Sequence, residues 1–321
     1  MPVSPMRAVS LILPFVVAAC GGGGRQTIAP LMPTVQITSA NAVEVARVAL
    51  SASLGLADVA GIGVGVLTAV PPEPTAPLSL QAQALRSLGE LVGAGSTLAA
   101  RVSASIPGAE GGEAFRFFDD RDDDERVTTG DALTITFVAF AEDGLVLNGT
   151  LVFDDLVVEG DLVDGLSWIV QTRLDFLNLA ITVGEVTETL DGAVRCRREK
   201  RATVMTLEME VEAGFTVAGT VLEAGTKLAY HEYVLDFTFA QFAQGAVEDE
   251  AIGGRVLFLT KVPFTGIQFL PDPSSGMLEV LGAGGSMLTI TAIDFFNVEI
   301  AVDADGDGEA EETLSMEWSA L

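Results

Sequence analysis

Positive charge is scarce in this chain. Seventeen Lys+Arg stand against 45 Asp+Glu in 321 residues, and the formal net charge is −28. Such a body repels nucleic acid and anionic lipid headgroups, so no nucleic-acid partner is expected, and it favours divalent cations. Cysteine is limited to Cys20 and Cys196, too few for a disulfide framework. Histidine is limited to His231, which alternates with its neighbours as a strand-face side chain does. No GxSxG, no HExxH and no paired cysteines occur, so the usual hydrolase and zinc sets are missing and no enzyme is expected. Apolar runs are short. The stretch from Val59 to Val70 is uncharged, but Asp58 closes it off and it is too short to span a bilayer. Apolar material as such is plentiful: hydrophobic residues make up 49%, enough for one large β domain or two smaller ones rather than a disordered acidic chain.

The N-terminus carries Arg7, an apolar run from Ala8 to Val17 broken by Ser10 and Pro14, then Ala18, Ala19 and Cys20. This is the layout of a secretory signal. Val17-Ala18-Ala19-Cys20 resembles the lipobox of bacterial lipoproteins; the plainer reading is a secretory signal with an incidental cysteine. The resemblance implies that Cys20 is the first mature residue and carries acyl chains. Several chains anchor firmly, because each buried CH₂ adds roughly 0.8 kcal/mol. Gly21, where an Asp would signal inner-membrane retention, implies the outer membrane. Gly21–Gly24 suit a flexible stalk. The expected division is a signal peptide over 1–19 and a flexible tether over 20–37.

A helical hairpin is expected over 38–106. Ser39 or Asn41 suits a helix cap, and helix is predicted over about 41–69 and again from Leu78 to Val102, where Leu85, Leu88, Leu91, Val92 and Leu98 recur at helical spacing. Pro71–Pro77 breaks the two. Gly61, Gly63 and Gly65 form a GxGxG without the strand and acidic partner of a nucleotide loop, and helix packing is the simpler account. From 107 to 321 polar and apolar residues alternate in short segments. Asn148-Gly149, Asp191-Gly192, Ala224-Gly225, Gly253-Gly254 and Gly284-Gly285 suit turns between them. The expected fold is α+β, mainly β: an N-terminal helical hairpin plus a long curved antiparallel sheet. "RCRREK" around Cys196 is a basic island, taken as a solvated hairpin tip; its functional alternative is a contact with phosphate or an acidic partner. A reactive Cys196 thiol and an incidental one are both consistent with it.

Two acidic loops carry the metal chemistry. Asp120, Asp122, Asp124, Val127 and Asp131 match positions 1, 3, 5, 8 and 12 of an EF-hand-like loop, with Glu125 where glycine is wanted. Asp303, Asp305 and Asp307 alternate ahead of Gly308, and Glu309, Glu311 or Glu312 would complete a site. Ca²⁺ is the cation such oxygen sets suit; the plain alternative is a solvated acidic turn. The acidic hairpin, "LNGTL" and the "VDADGDGEAEETLSMEW" ending resemble a group of uncharacterised proteobacterial lipoproteins across most of 38–321. Members often carry cysteines where Ala109 and Ala141 stand here, so that disulfide is not implied. The resemblance implies no activity. The function expected is a membrane-anchored envelope lipoprotein, a non-enzymatic structural or interaction module stabilised by Ca²⁺, with an envelope protein or lipid as partner. The alternative is a carrier or sensor of a hydrophobic ligand held between helices and sheet.

Overall fold

The computed structural model describes residues 32–54, 104–122, 128–142, 144–160, 167–268, 270 and 272–321. Cys20, the GxGxG stretch, the Pro-rich break and the second predicted helix lie outside the described residues. Fifteen strands form one sheet: β1 (Ala104–Pro107), β2 (Gly111–Asp119), β3 (Ala132–Glu142), β4 (Leu145–Gly160), β5 (Ser167–Val183), β6 (Val186–Arg201), β7 (Val204–Val217), β8 (Thr220–Leu222), β9 (Lys227–Tyr233), β10 (Thr238–Asp249), β11 (Gly254–Ile267), β12 (Ser275–Leu281), β13 (Met287–Ala292), β14 (Asn297–Asp303) and β15 (Glu312–Glu317). Every pairing is antiparallel, and strands follow one another in sequence order. β8 and β9 share one place between β7 and β10, interrupted at residues 223–226. The mainly-β expectation therefore holds.

The longest strands keep one face buried because they contain bulges. In β3, Phe137 and Phe140 are buried while Val138 and Ala139 between them are exposed. In β5, Phe176 and Leu179 are buried around exposed Leu177 and Asn178. Each bulge adds a residue and restores the inward alternation that a strict period of two would lose. The extra residues adopt left-handed backbone, with φ 46° at Ala139, 49° at Asn178 and 73° at Gly214 of β7. The strands between them answer with glycine. A Cβ on Gly112 of β2, Gly149 of β4 or Gly192 of β6 would overlap the carbonyl of Ala139, Asn178 or Gly214, respectively. The residue before each of the last two glycines holds a bulge N–H: Ala139 N–H donates to Asn148 Oδ1 at 2.8 Å and Asn178 N–H to Asp191 Oδ1 at 2.9 Å. Asn148-Gly149 and Asp191-Gly192 are thus interior to β4 and β6, not the expected turns. Left-handed Asx-Gly chemistry serves a bulge as well as a hairpin. Gly253-Gly254 and Gly284-Gly285 do connect strands.

The N-terminal segment is built into the sheet earlier than expected. The predicted tether to residue 37 ends too late. Val35 N–H donates to Arg255 O, Ala283 N–H to Val35 O at 2.6 Å, and Ile37 N–H to Ser286 Oγ at 2.9 Å, with Ile37 fully buried. Residues 42–54 are helical (α1). Ala42, Val45, Ala46 and Ala49 are buried at helical spacing. Asn41 turns its Oδ1 back to Thr38 N–H, and its carbonyl accepts the Val45 N–H. α1 is tied to distant strands by Gln241 Nε2 donating to Ser53 O at 2.7 Å and Arg47 Nε donating to Leu321 O at 2.8 Å. At the other boundary, residues 104–106, expected in the helical hairpin, are extended because they pair with β2.

Gly149 combines φ 113° with a carbonyl where its side chain would be. Gly149→Ala is expected to lower stability by more than the roughly 1–3 kcal/mol that such backbone strain alone costs. Asn148→Ala, which only frees one N–H, is expected to cost about 1 kcal/mol. Urea unfolding midpoints check both, and equal effects would contradict the packing argument.

Candidate metal centre

The β14–β15 connection begins at Asp303, the last residue of β14, which is 5% exposed. Its two carboxylate oxygens accept from Gly306 N–H at 2.7 Å and Gly308 N–H at 2.9 Å. Asp307 N–H donates to Asp305 Oδ1, Glu309 N–H to Asp307 Oδ1, and Ala304 N–H to Glu311 Oε2 at 2.6 Å. Gly308 takes φ 92°, the sharp turn expected of it, and Gly306 rests on the backbone of Gly285. One oxygen each from Asp303, Asp305, Asp307 and Glu311 lies within 4.8 Å of the others. Ligands at 2.3–2.6 Å around a central Ca²⁺ stand up to about 5 Å apart, so the set fits that cation. Glu309 does not join the cluster; Glu311 does. The reason is local: Glu311 N–H pairs with Val302 O at 2.9 Å as the hairpin closes, which turns its carboxylate back over Ala304.

The β2–β3 connection brings together Asp120, Asp122 and Asp131, also within 4.8 Å. Asp120 and Asp131 are each 1% exposed. Asp131 accepts from Arg121 N–H at 3.0 Å and Thr128 N–H at 2.7 Å, and the Thr128 hydroxyl reaches Asp122 Oδ2 at 3.0 Å. Asp124, with Glu125 and Val127, lies outside the described residues. Connections in a meander alternate between the two ends of the strands. The two acidic clusters therefore occupy opposite ends and are independent. Four converging carboxylates repel one another by about 1 kcal/mol per pair in bulk water and more near protein. The backbone N–H donors offset part of this; a divalent cation would offset more.

The basic island is not a hairpin tip. Arg195, Arg197, Glu199 and Arg201 alternate outward along β6, and only Arg201 reaches the turn. Arg197 meets Glu199 at 2.6 Å and Glu208 at 3.5 Å, Arg201 bonds Glu199, and Arg195 and Arg173 share Glu212 at 2.8 and 2.9 Å. Burial would raise the Glu199 carboxyl, but the hydrogen bonds from Arg201 and Arg197 outweigh it and hold the carboxyl below its usual range. Cys196, Arg198 and Lys200 point to the other face. Cys196 is fully buried and burial pushes its thiol up, which suits a packing residue rather than a nucleophile. His231 Nδ1 lies 3.2 Å from Thr206 Oγ1, and its ring meets Phe242 edge-on.

Arg198 was not singled out by spacing. It is 6% exposed, its guanidinium lies 5.8 Å from the Trp168 ring centroid, and its Nη1 has no hydrogen-bond partner. Burial pulls its pKa down to about 10, against the opposing pull of Glu232 and Tyr230. A buried donor left unpaired costs roughly 1–3 kcal/mol. The available signal was the period of two, which puts Arg198 on the face of Cys196 and opposite that of Arg197.

No family model matches the chain, and no curated protein or solved structure matches it either.

Glu199 supplies an acid-sensitive term. Its folded pKa is depressed, so its contribution is complete above the unfolded value of about 4.3 and is lost as pH falls through the folded value. Glu199→Gln is expected to flatten the fall of stability below about pH 4.3. Urea unfolding across that range checks it; an unchanged acid limb would contradict the assignment.

Proposed function

We propose that this chain is a membrane-anchored lipoprotein of the bacterial outer membrane, a non-enzymatic structural or interaction module whose acidic loops are stabilised by Ca²⁺. The observation that carries the reading is the placement of Cys20 after small residues and ahead of four glycines. What the structure adds in support is where the body begins. Thr34 N–H is bonded to Arg255 O, so at most 13 residues separate Cys20 from the first residue bonded to the sheet. Fully extended, such a tether reaches about 50 Å. Thr34 enters beside the β10–β11 turn, at the strand ends that also carry the Asp303 cluster. An acidic surface held near a membrane is repelled by anionic headgroups, and divalent cations relieve that repulsion. The Asp303, Asp305, Asp307 and Glu311 set and the Asp120, Asp122 and Asp131 set are the residues that would hold them.

Two outcomes are expected. Ca²⁺ at about 100 times its Kd should stabilise the chain by roughly 2.7 kcal/mol per site, seen as a rise of several degrees in Tm. Asp305→Ala/Asp307→Ala should remove the share of the β14–β15 loop, and Asp120→Ala/Asp122→Ala that of the β2–β3 loop. No rise at millimolar Ca²⁺ would end the metal part of the reading. Separately, mass spectrometry of the membrane-extracted protein should find residues 1–19 removed and acyl chains on Cys20, and Cys20→Ser should appear in the soluble fraction. An unmodified cysteine would end the anchor.

A further inference from the structure

Residues paired directly across antiparallel strands share a face. Val170, Arg198, Leu207, Tyr230, Gln241 and Phe264 therefore form one row across β5, β6, β7, β9, β10 and β11 on the buried face. The next row toward the β6–β7 turn holds Trp168, Lys200, Met205, Glu232 and Phe239. The row on the other side is uncharged, with Cys196, Met209, Leu228 and Ala243. Where β6, β7 and β9 approach one end, this face carries Arg198 and Lys200 against Glu232.

Arg198 is nine-tenths buried, stacks against Trp168, and still leaves Nη1 unpartnered. Gln241, three strands away in the same row, is satisfied through Ser53 O. Among the described residues of these rows two cations stand against one carboxylate, an excess opposite in sign to the chain's net charge of −28. An arginine fork with a spare donor, beside a lysine, suits the paired oxygens of an anion.

We propose that Arg198 and Lys200 form a binding site for an oxyanion, a carboxylate or phosphate group, with Trp168 fixing the guanidinium plane. The anion supplies the acceptor that Nη1 lacks. The same chemistry is found on a free phosphate and on the acid head of an amphipathic lipid. The test uses the purified chain with inorganic phosphate in one arm and oleate in the other, read by calorimetry and thermal unfolding. A Tm rise with either ligand supports the site. Oleate alone would identify a lipid acid and favour the carrier reading; phosphate would identify a free anion. Arg198→Met is expected to weaken binding at least tenfold and Lys200→Met severalfold. Should Arg198→Met not fold, Trp318→Phe leaves Trp168 as the sole tryptophan, and its emission should change with ligand. The proposal is overturned if neither ligand acts at millimolar concentration, if Arg198→Met binds as tightly as the parent, or if binding leaves Trp168 emission unchanged.

Discussion

The structure depends on one backbone contact repeated across the sheet: a left-handed bulge residue on one strand seated against a glycine on the next. β4, β5 and β6 each run for 16 or 17 residues. A sheet of this many strands does not stay flat, and strands of this length accumulate twist. The bulges at Ala139, Asn178 and Gly214 bend them and reset which side chains face inward. Gly112, Gly149 and Gly192 make room for the three carbonyls. Asn148 and Asp191 each serve the bulge on the preceding strand, while the glycine that follows serves the next. Two dipeptides therefore link five neighbouring strands, and the buried ring pairs nearby, such as Phe176 with Phe215 at 5.2 Å, depend on that alignment.

The same dipeptides explain what was legible in the sequence and what was not. Alternation after Pro107 marked an antiparallel, mainly-β body, because a half-buried strand must alternate. It did not show where strands end. Asx-Gly at 148–149 and 191–192 has the composition of a turn, and one residue cannot tell whether its positive φ will close a hairpin or admit a bulge. β6 was missed for a related reason: four arginines and a lysine within residues 195–201 look like solvated tip. Their acidic partners, Glu208 and Glu212 on β7 and Asp155 on β4, are visible only once the register is known. The convergence of Asp303, Asp305 and Asp307, and of Asp120, Asp122 and Asp131, was legible because each group is close in sequence. Glu311 rather than Glu309 follows from one ladder bond to Val302.

Charge is sorted by position in this molecule. Cations concentrate in the second half of β6, toward the β6–β7 turn, where carboxylates flank them. Carboxylates in excess collect at the strand ends, in connections where backbone N–H groups partly neutralise them.

The route of the chain through the sheet also sets the order in which it assembles. Each strand zips onto its predecessor, a local and rapid process. The segment at residues 34–37 and α1 instead hold Arg255, Ala283, Ser286 and Leu321, contacts that close loops of more than 200 residues. Those contacts wait for the last strands. A chain emerging N-terminus first therefore keeps residues 34–37 and α1 undocked until the last strands are made, so the first segment synthesised is among the last to find its place.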